Sequence, residues 1–215
     1  MAVLVMDMKL FQHLIAISCL LVAAGVQAQQ PGPHSVTKPK LRLELLKRVE
    51  QDQAIRNELI KKDIAHPDPA LLKRMNRIDA VNTARVKAII EQYGWPGPDL
   101  VGDDGSNAAF LLVQHADRRS RKELRPLAEK AFRTGAMTGQ NYALFIDRVL
   151  VEEGKPQIYG TSAKPFDQWN GTEPTFEPIE DEANLDKRRA EVGLMPHSEY
   201  REFMKKLYFP EKPKN

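Results

Sequence analysis

Residues 40–93 read KLRLELLKRVEQDQAIRNELIKKDIAHPDPALLKRMNRIDAVNTARVKAIIEQY. Leu45, Leu46, Val49, Ile55, Leu59 and Ile60 recur near a period of 3.6 with charges between them, the pattern of an amphipathic helix. His66-Pro67-Asp68-Pro69 ends that helix and starts another. Asp68 is a good N-cap, and Pro69 falls at the first helical position, where its missing N–H costs nothing. Leu71, Leu72, Met75, Ile78, Val81, Val86, Ile89 and Ile90 carry the second helix to about Tyr93. Two long helices joined by a short turn are expected to pair antiparallel.

Downstream the helical reading continues. Gly94-Trp95-Pro96-Gly97-Pro98 is a rigid loop. Gly102 to Asn107 reads as a turn that precedes an apolar helix from Ala108 to about Asp117, with Asp104 or Ser106 as its cap. Arg118–Arg133 is basic and reads as helical, with Pro126 marking a start or a kink. Thr138 opens a helix over Asn141–Glu153, and Gly154 closes it. Then the period changes. Gln157–Thr161 and Thr175–Ile179 are short, β-prone and separated by turn formers, so a β-hairpin is expected, with Pro178 keeping it at an edge. Asp181 starts a short helix to about Val192, and Ser198 caps a last one over Glu199–Tyr208. The expected fold is mainly α (α+β): six to seven helices with one small β-hairpin near residues 156–180. Residues 40–93 and 94–208 are expected to form one domain, followed by a tail over 209–215.

Upstream, Lys9 precedes an apolar run from Leu10 to Val26 that ends Val26-Gln27-Ala28, a small-x-Ala pattern that a signal peptidase accepts. Residues 1–28 read as a secretory signal peptide and residues 29–39, rich in proline, as a linker. Gln12 and His13 interrupt the run and leave it short of the roughly 20 residues that span a bilayer, which disfavours a retained anchor. Cys19 lies inside the run rather than at its end, which disfavours lipidation. Once the leader is removed no thiol remains, so disulfides, cysteine metal sites and a cysteine nucleophile are excluded. The expected location is the periplasm or the exterior. The formal net charge is +3, and Asp7 and Lys9 cancel within the leader, so the mature charge is equally mild. That argues against nucleic acid as a partner. No membrane span is expected after cleavage.

Few groups carry chemistry. His115, in Gln114-His115-Ala116-Asp117, continues the stripe of Ala108, Leu111 and Leu112. Such a histidine can serve as a general base, or simply as a hydrogen-bonded core residue. Asp147 and Arg148 sit within an apolar helix and need partners there. They form either an internal ion pair, for instance Asp147 with Arg118, or a site for an anion. Gln157, Tyr159 and Thr161 alternate, which on a strand places them on one face. The run Arg118, Arg119, Arg121, Lys122, Arg125 is diluted by Glu123 and Glu129 and reads as a solvated face. Asp103, Asp104 and Asn107 lack the twelve-position spacing of a calcium loop and read as turn formers. Asn170-Gly171-Thr172 is a glycosylation sequon. Phosphate-binding loops, dinucleotide fingerprints, His-Glu-x-x-His and Gly-x-Ser-x-Gly do not occur. The candidate catalytic residues are therefore His115, Asp117 and Asp147. The candidate binding residues are Gln114, Arg118, Arg148, Gln157, Tyr159 and Thr161. No metal or cofactor is expected, and the ligand class is a small molecule or envelope component.

The ordered series Gly94-Trp95-Pro96, Val101-Gly102, Gln114-His115-Ala116-Asp117, Tyr142-Ala143, Asp147-Arg148-Val149, Gln157, Tyr159-Gly160-Thr161 and Pro178-Ile179-Glu180-Asp181 resembles a bacterial family known only as a domain of unknown function. The resemblance covers roughly residues 85–205. It implies a bacterial source and transfers no activity. The family's Tyr-Gly-Thr-Gln pattern ends here in Ser162.

Cleavage after Ala28 predicts that N-terminal sequencing of the exported protein starts at Gln29. A cytoplasmic protein that retains Met1 would contradict it.

Overall fold

The computed structural model describes residues 36–62 and 68–209. The leader, residues 29–35 of the linker with His34, the turn residues His66 and Pro67, and the tail past Phe209 lie outside them. The chain divides between Met137 and Thr138 into two compact units.

In residues 36–137, α1 (Pro39–Lys62) and α2 (Pro69–Tyr93) are the two expected helices. Asp68 caps α2, its carboxylate accepting from the Ala70 N–H at 2.8 Å. Leu45, Ile55 and Leu59 of α1 and Met75, Val86 and Ile89 of α2 are buried on facing stripes. Between the stripes runs a series of charges that fixes their antiparallel register. Arg85 donates to both Glu44 oxygens at 2.7 and 2.8 Å, Arg48 to Asn82 at 3.1 Å, and Arg56 to Asp79 at 2.9 and 3.0 Å.

The third helix, α3 (Pro98–Gln114), starts ten residues earlier than the sequence suggests and packs on both α1 and α2. The reason lies at Gly102. At Gly102 (φ 75°, ψ 168°) a short helical turn from Pro98 meets, across a kink, the helix that runs on to Gln114, so most of the expected turn over 102–107 is helical. The interruption frees the carbonyls of Asp99 and Leu100, which accept from the N–H groups of Thr37 and Lys38 at 3.2 and 2.9 Å. Asp104 is no cap; it binds Arg42 at 2.7 and 2.6 Å. The unit closes with α4 (Arg118–Arg133), which keeps Pro126 inside it and buries Leu124, Ala128 and Ala131.

In residues 138–209, Thr138 caps α5 (Gly139–Glu152) by accepting from Asn141 N–H. A long loop and two single 3-10 turns, Phe166–Gln168 and Glu182–Asn184, lead to α6 (Leu185–Glu191) and α7 (His197–Tyr208). The expected side-chain caps are not made: Asp181 (φ 45°) precedes the second 3-10 turn, Asn184 stands before α6 and Pro196, not Ser198, before α7, each without a capping bond. The expected β-hairpin is not formed. Among the described residues only isolated bridges occur: Gln157 with Ile179 (parallel), Ala163 with Phe176 and Asn170 with Glu173 (antiparallel). A ladder cannot propagate because Gly160 turns the chain at φ 65° and a buried carboxylate takes the N–H groups around it.

Glu44 supplies a pH test of the helix pair. Hydrogen bonds from Arg85 hold its carboxyl down to about 2, against burial and with help from Arg48. The folded value lies below the ordinary 4.5, so this stabilisation is present above about pH 4.5 and lost as pH falls toward 2. Glu44→Gln should lower the urea midpoint at about pH 7 and cost less at about pH 3. An equal loss at both pH values would refute the pairing as its cause.

Candidate functional site

His115 is the C-cap of α3, and its N–H donates to Leu111 C=O. Its imidazole is buried, and Nδ1 lies 2.9 and 3.1 Å from the two oxygens of Asp52 on α1. Asp52 also accepts from Arg56 Nη1 at 2.7 Å and from Gln53 Nε2 at 2.8 Å. Arg56 reaches on through Nη2 to Asp79 of α2. The result is a buried chain of four groups on three helices: His115, Asp52, Arg56, Asp79. Exposed side-chain area is 1% at His115, 0% at Asp52, 2% at Arg56 and 13% at Asp79, so the cluster meets water only at its Asp79 end.

The two carboxylates are pushed apart in acidity. Burial alone would raise Asp52, but the hydrogen bond and charge of His115 and the charge of Arg56 outweigh it and hold the group low. At Asp79 burial wins over the attraction of Arg56, the Asp52 charge adds to it, and the carboxyl is pushed up to about 6. Above about pH 6 both carboxylates are therefore ionised, and Asp79 is the one that takes up a proton first as pH falls.

Ligand atoms of Asp52, Asp79 and His115 lie within 4.8 Å of one another, close enough for one divalent ion. The donor set fits such an ion poorly. Arg56 already donates to both carboxylates, and its charge fills the role that a cation between them would have.

Asp117, which the sequence offered as a partner of His115, is the N-cap of α4, accepting from the N–H and hydroxyl of Ser120 at 2.9 and 2.8 Å. The carboxylate on the imidazole is Asp52, which the sequence reading did not single out. Gln114 is fully buried. Its carbonyl accepts from Arg121, as does that of Ala116. Arg121 thus leaves the solvated face assigned to it and closes the C-terminus of α3, where a cation also suits the helix dipole. Arg118 is exposed.

Asp147 is the centre of the 138–209 unit. Its fully buried carboxylate accepts from the N–H groups of Ile158, Tyr159 and Thr161 at 2.8, 3.0 and 2.9 Å, and from the Thr161 hydroxyl at 2.8 Å. Burial raises its pKa against the pull of those bonds. Cations and a phenol hold the carbonyls of the same segment. Arg188 donates to Ile158, Arg189 to Tyr159 at 2.5 Å, and Tyr200 to Thr161 at 3.1 Å. Gln157 fastens the segment further, donating to Ser162 and Glu177 carbonyls and accepting from Ser162 N–H. So Asp147, Gln157 and Thr161 are brought together, but as a fastening of the loop and not as a strand face. Arg148 is buried and bridges to Glu152 at 3.3 Å. Tyr159 is half-buried, edge-on to Tyr142 at 6.4 Å.

A family model for a family of unknown function (DUF6624) matches residues 39–210, and the chain belongs to that family. No curated protein and no solved structure matches it.

Replacing Asp147 by Asn keeps the shape but removes the charge and one acceptor oxygen. The variant should lose about 1–3 kcal/mol and speed amide exchange at Ile158, Tyr159 and Thr161. Unchanged exchange at these three amides would show that another group holds the segment.

Proposed function

We propose that this member of a family of unknown function is exported and acts as an acid/base enzyme on an envelope substrate, with Asp52 and His115 as its proton-transfer pair. The reaction class is hydrolysis or group transfer. The observation that carries this reading is the contact of Asp52 with His115 Nδ1 at 2.9 Å inside a desolvated cluster. A carboxylate on Nδ1 fixes the imidazole's orientation and tautomer and stabilises the imidazolium that forms when the other nitrogen takes a proton. Low local dielectric makes that stabilisation larger than it is in water. Support for the address is the apolar run ending at Ala28. Among the described residues no helix is long and apolar enough to cross a membrane.

The burial of His115 favours a second reading, a non-catalytic domain that binds a small molecule or envelope component. Contact of the imidazole with a substrate requires the cluster to open, whereas a binding domain needs no such step. Purified mature protein assayed against chromogenic esters, phosphates and glycosides separates the two. On the enzyme reading a turnover appears that His115→Gln abolishes, and Asp52→Asn cuts kcat by at least about 100-fold, the usual scale of acid/base assistance. No turnover of any of these substrates decides for the binding domain, and turnover that survives His115→Gln in a folded variant would eliminate His115 as the acid/base.

A further inference from the structure

We propose that Asp79 is a positioning residue of this site, setting the proton affinity of His115 through Arg56. The inference rests on the Asp52–His115 reading as geometry and goes beyond it in assigning the second carboxylate a task.

The argument is a charge count along the cluster. Asp52 is shared: His115 Nδ1 approaches both its oxygens, and Arg56 Nη1 takes Oδ1 at 2.7 Å. Arg56 is also shared, since its Nη2 is held by both Asp79 oxygens. With Asp79 ionised, one guanidinium faces two carboxylates. Asp52 then has negative charge to spare for an imidazolium at His115, and the four groups together are neutral once His115 is protonated. With the Asp79 charge removed, Arg56 has Asp52 alone. Asp52 and Arg56 neutralise each other, and an imidazolium becomes an uncompensated buried charge, which burial strongly disfavours.

The groups that face this chain from each helix of the unit support the count. From α1 come Asp52, Gln53 and Arg56, and from α2 comes Asp79. From α4 Arg121 donates to the carbonyls on either side of His115, adding a positive charge that opposes protonation. Asp117 is turned to Ser120. Asp79 is also the member that reaches solvent, at 13% of its side chain, so the state of the buried pair is readable from the surface. Among the described residues Arg56 Nε has no hydrogen-bond partner, so the guanidinium's bonds in this cluster are those of its two terminal nitrogens.

The test follows the His115 ring nitrogens by NMR over pH in the intact mature protein. Because the sites interact, His115 itself is observed rather than a bulk titration. Asp79→Asn should move the His115 midpoint down by about one unit or more, the usual effect of losing a compensating charge at this range. Asp79→Glu, which keeps the charge, should restore it to near the wild-type value. A purely structural Asp79 would lower the melting temperature of Asp79→Asn and leave the midpoint in place, which overturns the proposal. Should Asp79→Asn fail to fold, the double variant Arg56→Gln/Asp79→Asn removes both charges and leaves Asp52 facing His115 alone. Its midpoint should lie at or above wild type, and a lower one overturns the proposal. Turnover is a separate readout: survival of activity in a folded His115→Gln variant defeats His115 as the acid/base and leaves the titration result standing.

Discussion

A carboxylate taken out of water has to be met by opposite charge or by several N–H donors, because desolvating it costs several kcal/mol. Each unit of this chain is organised around one such group. In residues 36–137 it is Asp52, held by an arginine, an amide and an imidazole. In residues 138–209 it is Asp147, held by three backbone N–H groups and a hydroxyl. The apolar cores around them supply the driving force for folding, but non-directional burial does not choose which atom meets which. The buried carboxylates do, since an arrangement that leaves them unsatisfied is far higher in energy.

The two groups solve the same problem with different consequences. Asp147 is satisfied by neutral donors fixed in the backbone, and Arg188, Arg189 and Tyr200 hold the neighbouring carbonyls. None of those donors to Asp147 titrates, and together they fasten the 158–161 segment to α5. Asp52 is satisfied by side chains that themselves titrate or pair further, through Arg56 to Asp79. Buried ion networks of this sort are often no more stabilising than an apolar replacement of equal volume. Stability alone therefore gives little reason for four charged or titratable groups in a helical core, and the proton-transfer role proposed for them supplies one.

Much of this was written on the sequence, though not all of it was read there. On α1 the residues Leu45, Val49, Asp52, Arg56 and Leu59 follow one another at spacings of four, three, four and three. On α2, Met75, Asp79, Asn82, Val86 and Ile89 do the same. Charged residues in the middle of an apolar stripe are a legible sign that the stripe buries a polar cluster, and that sign could have found Asp52, Arg56 and Asp79. Arg121 offers a weaker sign, three residues before Leu124 in a run that otherwise faces water. The hairpin had no comparable safeguard. Gln157–Thr161 has strand composition, but the N–H groups of Ile158, Tyr159 and Thr161 go to Asp147, 11 to 14 positions earlier on a helix, and strand propensity says nothing of such a competitor.

Sequence alone determined the helices, because amphipathic period and capping are local: Asp68, Pro69, Thr138 and Gly154 act within a turn of where they stand. It determined that His115, Asp147 and Arg148 would lie inside, because each interrupts an apolar stripe. Tertiary structure decided their partners. Asp52 lies 63 residues from His115, and the carbonyls of Asp99 and Leu100 beside the Gly102 kink accept from the N–H groups of Thr37 and Lys38, far off along the chain. Hydrogen bonds between distant segments depend on how helices pack, and packing is set by the sum of many weak contacts that no single stretch of sequence contains.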